Sequence, residues 1–142
     1  MAKTKYPTLL SPAKIGNVEI RNRTIMAAMG MSQSDNGFVN KATINHYAAR
    51  AKGGVGAVIV EVTCVDSPLG LNTKGMLVID DDKYIPGMAD LASAIHDGGA
   101  KAFLQISLFI FGHLHILFGE MFIQVFCLFF NLVICFVTIF VL

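Results

Sequence analysis

Few side chains in this sequence could do chemistry, and they are widely spaced. His113 and His115 form an HxH pair, which on a β-strand would place both rings on one face, where they could bind a metal ion. No third ligand stands at a suitable spacing, and the three cysteines, Cys64, Cys127 and Cys135, form no CxxC pair. We therefore predict no metal site.

Two polar residues lie in otherwise apolar segments. Glu61 follows the run VGAVIV, and Gln105 lies within KAFLQIS. A carboxylate at a strand end could act in catalysis, whereas a single amide in an apolar strand is more commonly a satisfied buried group. Met29 and Met31, taken from the pattern alone, would be core-filling residues.

The elements that must position these residues alternate between strand and helix. A turn signal at Gly16-Asn17 predicts a hairpin, and glycine pairs at 53–54 and 98–99 predict helix ends. The predicted elements are a hairpin over 12–22, strands over 24–29, 55–65 and 101–107, and helices over 42–52 and 85–96. This order predicts βαβ units with a parallel sheet.

Two parallel folds fit that order, a doubly wound sheet and a (β/α)8 barrel. No GxGxxG follows the first strand and no GxxxxGK[ST] occurs, which disfavours a nucleotide-binding doubly wound domain. A hairpin that closes the bottom of a barrel favours the second fold. The helix faces expected to enter the core are Ile44, Tyr47 and Ala48 in the first helix and Met88, Leu91, Ala92 and Ile95 in the second.

The composition changes abruptly after Ser107. The first 107 residues hold all eleven basic residues and nine acidic ones, whereas residues 108–142 hold one charged residue, Glu120, and nine of the eleven phenylalanines. There is no basic run, so nucleic-acid binding is not expected. The N-terminal residues contain no apolar leader segment, and the cysteine count is odd, so a cytoplasmic location is expected.

Three ordered segments resemble the N-terminal third of the Old Yellow Enzyme family, in particular its NADH:flavin oxidoreductase and 2-enoate reductase branch. They are LLSPAKIGNVEIRNRTIMAAMGM, NHYAARAKGGVGAVIVE and KAFLQIS. The resemblance covers residues 7–107 and implies the start of a (β/α)8 barrel that binds FMN at its C-terminal mouth. NAD(P)H would reduce the flavin, which would reduce an activated C=C bond of an enoate or enoyl thioester.

The resemblance also implies which residues contact the flavin. The backbone of Ala27, Ala28, Met29 and Gly30 would lie against the isoalloxazine, and Gly30 stands where some relatives carry a Cys or Thr. Val62 would occupy a flavin-contacting position that is commonly Ala or Gly. Gln105 would bind the pyrimidine edge of the flavin, because a carboxamide offers a donor and an acceptor to a ring edge that presents both. Glu61 would support the barrel.

The family pattern stops within the third strand. The His-x-Gly-Arg segment expected after Gln105-Ile106-Ser107 is absent, as are the usual substrate-binding and proton-donating residues. A complete barrel has about 250 residues. We therefore predict two parts, residues 1–107 and 108–142, an open sheet with an unpaired edge strand, and a truncated oxidoreductase that is inactive as this chain, with no catalytic residue to nominate.

Three interpretations of residues 108–142 stay open. Translation in a wrong reading frame is favoured by the abrupt change and by the T-rich codons that Phe, Leu, Ile and Val share. Alternatively, residues 121–142 form a membrane anchor, since about 20 apolar residues span a bilayer, and the protein is a noncatalytic membrane-associated fragment. A buried element that replaces the missing barrel is the third, although a core helix does not need nine phenylalanines and almost no polar face.

Overall fold

The computed structural model describes residues 5–107 and 138–141. In this part of the chain the strands are β1 Ala13–Ile15, β2 Val18–Ile20, β3 Ile25–Met26, β4 Ala57–Cys64, β5 Leu77–Val78, β6 Lys101–Ser107 and β7 Thr138–Val141. The helices are α1 Lys41–Lys52 and α2 Ile85–Asp97, and a short 3₁₀ helix, Asp82–Tyr84, precedes α2.

Local sequence chemistry accounts for the ends of both helices. The Asn40 side chain accepts a hydrogen bond from the Thr43 N–H at 3.0 Å, which satisfies one of the free amides at the start of α1. α1 ends at Gly53, whose N–H donates to the Ala49 carbonyl. α2 begins with Pro86 in its first turn and ends at Gly98, where the predicted glycine pair lies. Both helices were therefore predicted correctly to within one residue.

The main sheet is parallel at its centre. β4 pairs with β3 on one side, through Ile25↔Ala57 and Met26↔Val58, and with β6 on the other. The short strand β5 also pairs with β4 in parallel, at Thr63 and Cys64. The β4–β6 register shifts between Val60 and Thr63, so β4 has an irregularity at Glu61 and Val62. The alternation of strands and helices that predicted a parallel sheet is confirmed.

The two faces of this sheet are used differently. One face packs against α1 and α2 in the largest buried cluster, whose members include Val58, Val60, Leu91, Ile95 and Leu104. On the other side of the pleat, Ala57 and Phe103 pack with Ile20 of the hairpin, at the N-terminal ends of β4 and β6. The hairpin therefore covers the end of the sheet opposite to the carboxyl ends of the strands.

Two sequence predictions about the strands are corrected. The first predicted strand, 24–29, pairs within the described residues only over Ile25–Met26. The chain after it forms a loop whose Met31 N–H donates to the Glu61 side chain. The predicted open edge at β6 is wrong within the described residues. There β7 pairs with β6 in the antiparallel direction, through four residue pairs from Phe103↔Val141 to Ile106↔Thr138.

No helix among the residues that the structure describes is long and apolar enough to cross a membrane. The span considered from the sequence, 121–142, lies outside those residues except for Thr138–Val141, which form β7 rather than a helix. His113 and His115, considered above as a metal-binding pair, also lie outside the described part of the chain.

Candidate functional site

The residues expected to contact a flavin all lie toward one end of the parallel sheet. Ala27 to Gly30 directly follow β3, Val62 lies near the end of β4, and Gln105 lies in the second half of β6. Because β3, β4 and β6 are parallel neighbours, their carboxyl ends meet at one edge of the sheet. Ligands of barrel and open parallel folds bind at this edge.

This end of the sheet presents a mostly open surface, which we call the cradle (Ala27 to Gly30, Val62 and Gln105). Met29 is 62% exposed, so it is not the core filler that its pattern alone suggests. Ala28, Val62 and Gln105 are half-buried. Among the described residues, a Cβ added at Gly30 would have a single neighbour within 4 Å, the Val62 Cγ1 atom at 3.9 Å. The segment that follows β3 therefore approaches the end of β4 at Gly30 and Val62.

One buried carboxylate connects the two strands beneath the cradle. Glu61 is 1% exposed, and its Oε2 atom accepts hydrogen bonds from the Met31 N–H at 2.6 Å and the Ser32 N–H at 3.2 Å. The Glu61 N–H donates to the Tyr47 hydroxyl of α1 at 2.8 Å. Its Oε1 atom is buried and has no hydrogen-bond partner among the described residues. Glu61 therefore belongs to the base of the site, not to its exposed surface.

The loop that follows the cradle is held from the other side by residues 73–76. The Ser34 N–H donates to the Gly75 carbonyl at 2.9 Å, and the Ser34 hydroxyl donates to the Met76 carbonyl at 2.8 Å. The Ser32 and Thr73 hydroxyl oxygens lie 3.0 Å apart. Ser32 itself has φ +51°, an uncommon conformation for a residue with a side chain. These contacts fix the turn that carries the chain out of the cradle.

Burial changes the acidity of the two groups at the base. Desolvation raises the pKa of Glu61 above its ordinary value of 4.5, and the amide hydrogen bonds from Met31 and Ser32 only partly oppose this. Burial likewise raises the pKa of Tyr47, so its hydroxyl stays protonated. No ion pair to Glu61 occurs among residues 5–107. A buried carboxyl without a cation is expected to hold its proton to a higher pH than a solvated one.

We expect this raised pKa to appear as a pH-dependent stability difference between wild type and Glu61→Gln. The native state holds the Glu61 proton more tightly than the unfolded state, so the contribution of Glu61 is most favourable below pH 4.5 and declines as pH rises through its folded pKa. The free energy of unfolding of wild type minus that of the variant should therefore fall over this range. Urea titrations followed by circular dichroism at several pH values measure it.

The difference in unfolding free energy between wild type and Glu61→Gln removes the contributions of the other titrating groups. Asp80, whose pKa is lowered by hydrogen bonds from Ser67, and His46, whose pKa is lowered by burial and by Arg50, contribute equally to both proteins. A difference that is flat with pH, or that rises, would contradict the raised pKa of Glu61.

The other polar residues in the motifs have structural contacts. Asn22 is 8% exposed; its side-chain amide donates to the Gly54 carbonyl at 2.7 Å and its oxygen accepts from the Thr24 hydroxyl at 2.7 Å. Arg23 donates to the Ser11 hydroxyl oxygen, and Arg50 donates to the His46 carbonyl. Both arginines therefore make contacts that hold local backbone and loop structure. Within the part of the chain that the structure describes, no cluster of metal-ligating side chains occurs.

Sequence reasoning missed the support from residues 73–76. Ser32, Ser34 and Gly75 lie in loops whose composition indicates only a turn. Gly75 has φ +84°, and a Cβ there would collide with the Ser32 backbone. The glycine within the LNTKGM segment was the available signal of a turn. No sequence pattern predicts that this turn contacts Ser32, 43 positions earlier along the chain.

Comparison with known proteins agrees with the resemblance found in the sequence. The model of the NADH:flavin oxidoreductase / NADH oxidase family matches residues 8–109. An NADH oxidase of Thermoanaerobacter brockii is 46% identical over 104 residues, which is 72% of this chain and 16% of that protein. A cinnamate reductase of Clostridium sporogenes is 37% identical over 111 residues, 74% of this chain and 16% of that protein.

Solved structures share the fold of the described part. The old yellow enzyme from Trypanosoma cruzi superposes with a TM-score of 0.65 at 31% identity, covering 72% of this chain and 27% of that one. A 2-naphthoyl-CoA reductase in complex with 2-naphthoyl-CoA gives 0.69 at 34% identity, covering 71% and 16%. The chain thus spans about one sixth of the length of the curated relatives it matches. The fold is the N-terminal portion of a (β/α)8 barrel.

Proposed function

We propose, since this chain belongs to the NADH:flavin oxidoreductase / NADH oxidase family, that its cradle is part of a binding surface for FMN. The observation that carries the proposal is the common position of the cradle residues at the carboxyl ends of three adjacent parallel strands. Members of this family use FMN as the cofactor and NAD(P)H as the reductant.

The residues present fit a flat, partly polar ring system. Ala27, Ala28 and Gly30 carry a small side chain or none, and among the described residues a Cβ at Gly30 would meet only Val62. Met29 supplies an exposed apolar surface. The half-buried carboxamide of Gln105 can donate and accept at a heterocycle edge. The Val62 side chain narrows the space beside Gly30 and so limits how closely a ring can approach β4.

The parent reaction that we infer is the reduction of an activated C=C bond. Bound FMN would supply hydride-transfer chemistry between NAD(P)H and the β-carbon of the alkene, and the α-carbon would gain a proton, so that the C=C bond becomes a single bond. The residues of this chain would hold the ring and exclude water from one of its faces. The cinnamate reductase and the 2-naphthoyl-CoA reductase among the similar proteins support an enoate or an aromatic or enoyl thioester as the substrate class.

We further propose that residues 1–107 and 108–142 are different in origin, with only the first part derived from the barrel. The family match ends at residue 109, close to the change of composition after Ser107. The test is to resequence the encoding DNA from codon 100 onward and translate every forward frame. A second frame that restores a His-x-Gly-Arg segment and further βα units supports this proposal. A confirmed frame whose product continues the barrel beyond residue 142 would contradict it.

The chain by itself is expected to bind FMN only weakly and not to turn over. Its described residues supply three parallel barrel strands and the added β5, whereas a closed barrel has eight strands, and phosphate sites of this fold lie after the last two. Purified chain is therefore expected to lose FMN on desalting and to oxidise NADH no faster than free FMN does. Retention of about one FMN per chain, measured by flavin absorbance, would overturn this prediction.

Weak binding should still be specific to the cradle. In an NMR titration with FMN, chemical shifts are expected to change at Ala27 to Gly30, Val62 and Gln105. Gln105→Leu should weaken binding about fivefold, because one neutral hydrogen bond is worth about 1 kcal/mol. Asn45→Leu, which removes an exposed carboxamide from α1, is the matched control and should change nothing. Equal effects of the two variants, or shifts spread over the whole chain, would count against an FMN site here.

A further inference from the structure

The chemistry proposed above gives no role to Glu61, although a buried carboxyl group is costly to keep. Its side chain is 1% exposed and no cation pairs with it within residues 5–107. One of its oxygens has no hydrogen-bond partner among the described residues. Burying such a group costs free energy unless its hydrogen bonds compensate, so the bonds that it does make are informative.

Those bonds go to two consecutive amides of the loop after β3. The Met31 and Ser32 N–H groups both donate to the Oε2 atom of Glu61, at 2.6 and 3.2 Å. Consecutive backbone N–H groups that converge on one oxygen form an anion-binding concavity when one residue adopts a left-handed conformation. Ser32 does so, with φ +51°. The carboxylate therefore stabilises a backbone conformation that the Ser32 side chain disfavours.

Both partners of the hydrogen bond between Met31 and Glu61 are adjacent in sequence to cradle residues. Met31 directly follows Gly30, and Glu61 directly precedes Val62, whose Cγ1 atom lies 3.9 Å from a Cβ placed at Gly30. A shift of the loop at Met31 would be passed to Gly30 and Met29 through at most two peptide units. The same carboxylate thus joins the two strand ends from which most of the cradle is built.

The backbone of Glu61 is also held by hydrogen bonds. Its N–H donates to the hydroxyl of Tyr47, which is fully buried in the core between the sheet and α1. The Thr63 hydroxyl donates to the Glu61 carbonyl at 2.9 Å. The irregularity of β4 lies at this position, between Val60 and Thr63. The side chain that reaches the loop is therefore anchored to the rigid part of the structure.

We propose that Glu61 is a positioning residue, whose carboxyl group holds the backbone at Met31 and Ser32 and thereby sets the geometry of Met29 and Gly30 for a planar ligand. Its link to a ligand rests on the proposed function, but its action on the loop does not. Glu61 is 1% exposed and so is not part of the exposed surface of the cradle. Its effect acts through the backbone of the loop.

The test measures amide hydrogen exchange in the full chain without FMN. In wild type, the Met31 and Ser32 amides are expected to exchange slowly. Glu61→Leu removes the acceptor and should speed their exchange about tenfold or more, the factor that corresponds to about 1.4 kcal/mol. Glu61→Gln keeps an acceptor oxygen at the same reach and should preserve slow exchange. Thr24→Val removes a part-buried hydrogen bond to Asn22 Oδ1, at the other end of β3 from the loop, and should leave both amides at the wild-type rate.

A shorter side chain keeps the test decisive if the leucine variant does not fold. Glu61→Asp keeps the charge but is one methylene too short to reach both amides, so it should also speed their exchange. Fast exchange of Met31 and Ser32 in wild type would overturn the proposal. So would unchanged exchange in Glu61→Asp, or an equal change in Thr24→Val.

FMN is then added to separate the two proposals. The wild type and Glu61→Gln should show FMN-induced shifts at Met29 and Gly30, and Glu61→Asp should lose them. If the exchange results hold while FMN shifts no resonance in wild type, the proposed function fails and the action of Glu61 on the loop stands. If FMN shifts the same resonances equally in wild type and Glu61→Asp, Glu61 does not position the cradle.

Discussion

Replacing Gly56 with alanine is expected to lower the free energy of unfolding by about 3 kcal/mol. A Cβ at this position would collide with the Asn22 carbonyl oxygen and would lie 2.9 Å from Asn22 Oδ1. The backbone cannot move aside easily, because the Gly56 N–H donates to the Thr24 carbonyl at 2.8 Å and the Gly56 carbonyl accepts from the Lys101 N–H at 3.1 Å. Urea titration followed by circular dichroism measures the loss.

Two other glycines provide graded controls for this substitution. Gly16 has φ +56° but open space around it, so Gly16→Ala should cost only the backbone penalty, about 1 kcal/mol. Gly30 has neither a positive φ nor a close neighbour, so Gly30→Ala should change stability by about 0.5 kcal/mol or less. If Gly56→Ala is no worse than Gly16→Ala, close approach to Asn22 does not constrain this position.

The second large effect is expected in the core between the helices and the sheet. Leu91 is fully buried and belongs to the cluster that joins α2 to β4 and β6. Leu91→Ala should cost about 2–5 kcal/mol, because it removes buried apolar surface and leaves a cavity that the surrounding residues only partly fill. Chemical denaturation of the purified chain is again the measurement.

Ile85→Ala is the matched control, since it truncates a large aliphatic residue of the same helix that is 54% exposed. Its effect should stay within about 0.5 kcal/mol. Similar losses in the two variants would show that α2 does not pack as described, and that its stability depends on helix propensity instead of burial.

The central elements could be predicted from sequence because each has a strong local signal. The β-branched run that contains β4, the glycine pair after Lys52 and the segment 101–107 each specify their own structure. The face of α2 was also correct, with Met88, Leu91 and Ile95 buried. In α1 the prediction was correct for Tyr47, but Ile44 and Ala48 are only half-buried. It omitted Ala51, since a small residue adds little to a periodic pattern.

The features that were not predicted depend on contacts between distant segments. β5 has two residues in a loop rich in turn formers, and it is defined only by pairing with Thr63 and Cys64. β3 ends at Met26, and the loop that follows it is held by a side chain on another strand, Glu61. β7 lies in a uniformly apolar segment that has no alternation to indicate a strand. The position of the cradle followed from strand order, whereas its support by residues 73–76 did not.

The direction of β7 has a consequence for how this sheet can grow. In a (β/α)8 barrel each strand has parallel neighbours on both sides, and β6 has such a neighbour, β4, on one side only. Its other side is taken by β7, which runs the opposite way over Phe103 to Ile106. A parallel fourth strand would need the same backbone groups of β6. The two pairings therefore compete for one set of donors and acceptors, and barrel completion requires that β7 first be displaced.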